Sequence, residues 1–230
     1  MWIDPYYLIF MAPAFLAMLA AQWYVKSAFS KWSRVPLRSG LSGAEAAQRL
    51  IQYAGLYGVR VEAVSGMLTD HYDPRQKVLR LSPSVYQGRS VASVAVAAHE
   101  LGHALQDKES YAPLKLRTMM VPAVNIGSYL GWILMLLGFF LNMLNLAAVG
   151  LVVFSIGAVF ALVTLPVEFN ASARAKRLLR ETGIVQTEDE VRGVNSVLNA
   201  AALTYVAALF NAVMQVLYFA MLIFGGRRRR

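Results

Sequence analysis

Apolar positions along this chain fall into long blocks separated by short charged stretches, and the block lengths set the first expectations. Residues 6–25 are almost wholly apolar and long enough for a membrane helix. Lys26, Lys31, Arg34 and Arg38 follow the block, with no Lys or Arg ahead of it, which puts its C-terminal end on the cytoplasmic side. A cleaved signal peptide carries its charge in the reverse order. Residues 121–141 and 144–165 are two further apolar blocks, parted only by a polar break around Asn142 and Asn145, the pattern of a transmembrane hairpin. Gly127 and Gly131 on one arm, and Gly150, Ser155 and Gly157 on the other, are the small residues that let helices approach closely in lipid. The charged stretch 168–192 returns to water, and 201–224 forms the last block. If that block crosses fully from a cytoplasmic start, arginines 227–230 end outside, against the positive-inside tendency, so a re-entrant segment stays open beside a full span.

Residues 39–98 change period. Ser42 and Glu45 stand in capping-box spacing before a helix with Ala46, Leu50, Ile51 and Ala54 on its inward face. Residues 59–64 alternate apolar and polar, Gly66 turns the chain, and Asp73-Pro74-Arg75-Gln76 leads into a second strand at 77–81. Residues 78–81 are expected to offer an edge to an extended peptide. Ser90 caps a helix over 91–106 whose first turns, VASVAVAA, are apolar on every side, so this helix is expected to be buried.

These elements predict a predominantly α integral membrane protein of about four spans with a small soluble α+β unit. The expected divisions are 1–38, a membrane helix with a basic flank; 39–120, the α+β unit; 121–165, the hairpin; 166–200, a further helix and charged segment; and 201–230, a transmembrane or re-entrant span with a basic tail. The hydrophobic share of 57% exceeds the globular range and agrees. With no cysteine, a disulfide framework and a thiolate metal site are both excluded, and a metal has only His, Asp and Glu to hold it. The net charge of +9 comes from Lys and Arg beside the apolar blocks and at the C-terminus, which points to the headgroups of a lipid bilayer and not to nucleic acid.

Three polar residues interrupt the apolar helix at AHELGH. His99 and His103 lie one turn apart, so both imidazoles project from one face about 6 Å apart along the axis, a spacing that suits two ligands of one zinc. Glu100, beside the first, is placed to act as general base on a zinc-activated water. Burying all three without a partner is costly, and a metal engages all three. A catalytic zinc takes three protein ligands and an open position. Asp107 sits one turn too far along, and Glu181, Glu188, Asp189 and Glu190 read as a solvated surface among basic neighbours. Glu168 differs, ending an apolar block where an unpaired acid is expensive. The hairpin returns the chain to the side of the histidine helix, so Glu168 is the expected third ligand. The competing reading is a structural salt bridge between Glu168 and Arg174.

With HELGH, a later Glu on a second helix and spans on both sides, the chain resembles the gluzincin-type bacterial membrane metallopeptidases, and most closely the YugP-like family of neutral zinc metallopeptidases. The resemblance is carried by LTDHYDPRQKVLRLSPSVY at 68–86, AAHELGHALQ at 97–106, PVEFNASARA at 166–175 and LNAAALTYVAA at 198–208. It implies one zinc per chain on His99, His103 and Glu168, with Glu100 as base. The pattern departs at Asn170, where an Asp is usual, and at Ser172, where related gluzincins carry an acid; Asn170, Ser172 and Arg174 are the residues expected around the ligands. His71 and Tyr72 are candidates to orient substrate or stabilise an oxyanion, and Tyr205 to donate to the oxyanion. A satisfied structural histidine and an interfacial tyrosine are the alternatives.

The resulting expectation is a zinc metalloendopeptidase of the cell membrane, its site on the cytoplasmic side, acting on peptide or protein substrates, membrane proteins among them. A zinc-binding scaffold or quality-control adaptor without turnover is the alternative, hinted at by Asn170 and opposed by Glu100. A transporter would need more intramembrane charges than the chain supplies.

Overall fold

The computed structural model describes residues 5–225, so arginines 227–230 lie outside the described residues. Among the described residues, four helical stretches are long and apolar enough to cross a membrane: Pro5–Trp32, Ala112–Phe140, Leu144–Glu181 and Glu188–Gly225. With the small sheet described below, they make the chain a mainly α membrane protein carrying a small α+β portion.

Two compact units can be distinguished. Among the described residues, one gathers 5–21, Lys115–Leu165 and 204–225; the other gathers Gln22–Leu114 and Pro166–Leu203. In the first, α5 (Ala112–Phe140) and α6 (Leu144–Phe154) pack through glycine. A Cβ on Gly131 would fall 2.6 Å from Phe154 N, and one on Gly150 the same distance from Met135 N. Only glycine permits that separation, and in lipid such contact replaces the hydrophobic drive. Large apolar side chains such as Ile126, Leu136 and Val152 are left exposed on these helices, a surface that fits lipid.

The second unit has a protein core. Helix α2 (Gly43–Tyr53) starts with the expected capping box: Ser42 Oγ accepts from Glu45 N at 3.2 Å, and Glu45 Oε2 accepts from Ser42 N at 2.7 Å. Strands β1 (Arg60–Ala63), β2 (His71–Asp73) and β3 (Val78–Leu81) form one sheet in the order β1-β3-β2, parallel between β1 and β3 and antiparallel between β2 and β3. The expectation that 78–81 forms an edge is therefore corrected. β3 takes the centre because Val78, Leu79 and Leu81 are fully buried, while both flanking strands carry exposed or half-buried residues. A short helix, α3 (Pro83–Tyr86), follows.

Helix α4 (Val91–Lys108) runs through the middle of this core. Ser90 Oγ accepts from Ser93 N at 3.2 Å to cap it, and Val91, Ala92, Val94, Ala95, Ala97 and Ala98 have no exposed surface, as the all-round apolar pattern predicts. The alanines keep that face thin, so neighbours approach closely.

Helices α7 (Ile156–Glu181) and α8 (Glu188–Gly225) bring further residues to this core, among them Ala175, Leu178, Leu179, Val194 and Leu198. Helix α8 runs without a break through the apolar block at 201–224. Glu190 does not belong to the solvated surface that its charged neighbours imply. It is 3% exposed and accepts backbone N–H bonds from Arg38 at 2.6 Å, Gln186 at 2.7 Å and Thr187 at 3.0 Å. Buried carboxylates survive where several donors replace water, and here one acid ties the 38 loop to the start of α8.

Candidate metal centre

Helix α4 presents His99, Glu100 and His103, and α7 presents Glu168. Close passage of the two helices depends on Gly102. A Cβ there would meet the backbone of Ala171, 3.0 Å from both its Cα and its carbonyl carbon. The glycine thus makes room for the α7 backbone itself, one turn beyond Glu168.

At this contact His99 Nε2 lies 3.2 Å, and His103 Nε2 3.5 Å, from the same Glu168 Oε2. The imidazoles stand edge to face with centroids 4.9 Å apart. One ligand atom from each of the three residues falls within a 4.8 Å cluster, and Glu168 is 2% exposed. Tetrahedral zinc with bonds of about 2 Å sets its ligand atoms about 3.3 Å apart. The observed nitrogen–oxygen separations match that edge, and two imidazole nitrogens with a carboxylate oxygen are a donor set zinc accepts, so the residues fit the ion.

The outward nitrogens are also engaged. His99 Nδ1 lies 3.1 Å from Ser172 Oγ, and His103 Nδ1 donates to Gln106 Oε1 at 3.0 Å. Both rings therefore keep Nε2 turned toward Glu168. Burial pulls the His103 pKa down, but the bond to Glu168 and the charge of Glu100 outweigh it, and the net shift is up. For Glu100 burial dominates and pushes the carboxyl up, against the pull of His99 and His103.

Asn170 contacts neither histidine among the described hydrogen bonds. Its Oδ1 accepts from Gln106 Nε2 at 3.0 Å and from Arg174 Nε at 2.7 Å, while Arg174 Nη2 donates to Glu109 Oε2 at 2.6 Å. Ser172 stands behind His99. Gln106 was not singled out by the sequence reading, although a signal existed: an amide one turn past His103 on the same face of an otherwise apolar helix.

His71 is exposed on β2, its Nδ1 2.8 Å from Thr69 O. Tyr72 Oη donates to Asp107 Oδ2 at 2.8 Å, which engages the hydroxyl, and burial pushes its pKa up. Asp107, set aside as a ligand, also pairs with Lys77. Tyr205 lies on α8 within the other unit.

The family model described as "Putative neutral zinc metallopeptidase" matches residues 7–224. A relative from Bacillus subtilis (strain 168), "Putative membrane protease YugP", is 50% identical over 207 residues, which cover 90% of this chain and 92% of that protein. No solved structure matches the chain significantly.

Proposed function

The chain belongs to the family described as putative neutral zinc metallopeptidases, and from that premise we propose that it is a membrane-embedded zinc endopeptidase acting at His99, Glu100, His103 and Glu168. The observation that carries this reading is the convergence of His99 Nε2 and His103 Nε2 on one buried oxygen of Glu168, from a helix distant in sequence. Zinc, when bound, supplies a Lewis acid that polarises the peptide carbonyl and makes water acidic enough to be deprotonated near neutral pH. His99, His103 and Glu168 would hold the ion. Glu100 takes the proton of the attacking water and passes it to the departing amine, the work of a carboxylate beside the first ligand. His71 stays a candidate for orienting substrate or stabilising an oxyanion. The scaffold reading loses its hint, because Asn170 serves as an acceptor for two N–H donors, a task that asks for an oxygen and not for an acid.

Metal analysis of the protein purified in detergent tests the proposal. About one zinc per chain is expected, and none in His99→Ala or His103→Ala, since two ligands do not complete the site. Full occupancy in either variant overturns the ligand assignment.

The reading also puts the site on the cytoplasmic side, because Lys26, Lys31, Arg34, Arg38, Arg174, Lys176, Arg177 and Arg180 all belong to the unit that holds it. Single cysteines at Lys108 and Lys176 should then label from the cytoplasm, and cysteines at Asn142 or Asn145 from the opposite face. Labelling of positions 108 and 176 from outside the cell reverses the sidedness.

A further inference from the structure

We propose that Gln106 is the positioning residue of His103, and that Arg174 fixes its orientation through Asn170; the inference rests on the reading of His99, His103 and Glu168 as zinc ligands. An amide side chain has an accepting and a donating end of nearly equal shape, so a buried one presents whichever end its neighbours require. Arg174 decides the matter, since a guanidinium only donates. Its Nε lies 2.7 Å from Asn170, so the oxygen of Asn170 faces it. That same oxygen is 3.0 Å from Gln106 Nε2, and Nε2 also donates to the Val167 carbonyl at 2.7 Å. With two acceptors fixing its nitrogen end, Gln106 has only Oε1 to offer His103, and Oε1 lies 3.0 Å from Nδ1.

The proton of His103 is therefore held on Nδ1, and Nε2 turns its lone pair to the place where Glu168 Oε2 also points. A reversed amide would present N–H to Nδ1, move the proton to Nε2 and leave that nitrogen unable to bind a cation. Gln106 has no exposed surface, so water does not substitute for it. At the outer end Arg174 is steadied by Glu109, 2.6 Å away. The relay joins α4 to α7 by side chains on both helices, with polarity set by the one member that has no acceptor.

The test measures affinity for zinc alone, by competition with a chromophoric chelator, on the full chain in detergent. The absorption spectrum of the Co2+-loaded protein is recorded beside it. Gln106→Met keeps length and removes both ends of the amide; zinc affinity is expected to fall about 10- to 100-fold, the usual effect of losing the group behind a ligating histidine. The Co2+ bands should shift as the His103 ring loses its anchor. Arg174→Met leaves Gln106 in place but releases Asn170, and a smaller, several-fold loss is expected. If Gln106→Met does not fold, Arg174→Met alone decides. Zinc affinity and Co2+ spectrum equal to wild type in the variants that fold overturn the proposal. Wild-type protein that binds no zinc sinks the metal reading instead, a separate outcome.

Discussion

Helices α4 and α5 both bring a glycine against a neighbouring backbone, Gly102 against Ala171 in one unit and Gly138 against Ala147 in the other, but their surroundings differ. Around α4 neighbouring protein buries most of the helix, and polar groups of the site are partnered: His99 with Ser172, His103 with Gln106, Gln106 with Val167 and Asn170. Along α5, side chains such as Ile126, Tyr129 and Leu136 stay exposed, where lipid is the solvent. Equal apolarity thus serves two ends. In α4 it makes a dry, low-dielectric setting in which a few polar groups are strongly oriented. In α5 it only has to match the hydrocarbon, and small residues do the packing.

The sharpest way to break the comparison is to change chemistry in α4 without changing shape. Glu100→Gln should retain zinc while peptide hydrolysis falls by about 10²- to 10⁴-fold, the range ascribed to a positioned acid–base group. Turnover equal to wild type in a peptide-cleavage assay assigns the proton transfer to another residue.

The matched glycine pair comes next. Gly102→Ala pushes α7 away from α4, so it should lower both thermal stability and zinc affinity. Gly138→Ala should cost about 1–3 kcal/mol of stability from overpacking while zinc affinity stays at wild type. Melting curves and zinc titrations of both variants check this, and equal loss of zinc in the two would mean the units do not separate packing from chemistry.

The smallest expected effect is at α2. Ser42→Ala removes the capping hydroxyl and should cost about 1 kcal/mol, read as a lower melting temperature with unchanged zinc content. A loss of zinc there would tie the cap to the site.

Much of this molecule is written in local pattern. The capping box at Ser42 and Glu45, the cap at Ser90, the all-round burial of α4 and the one-turn spacing of His99 and His103 follow from contacts within a few residues, where helical geometry alone fixes who meets whom. Hairpin parity gave a reason to choose Glu168, since it restricts which side of the membrane the acid reaches. What local pattern did not decide is how partners far apart in sequence meet. β3 took the centre of the sheet and not an edge, because β1 pairs with one side of its backbone and β2 with the other. Glu190 left the surface because donors from the 38 loop and from 186–187 surround it. The donating and accepting ends of Gln106 and Asn170 are identical in any sequence; only the approach of Arg174 and of the Val167 carbonyl on α7 gives them a direction. The sequence supplied the candidate groups His99, Glu100, His103 and Glu168, and tertiary structure determined the orientation of the amides around them, because a hydrogen bond's polarity belongs to the pair and not to either residue.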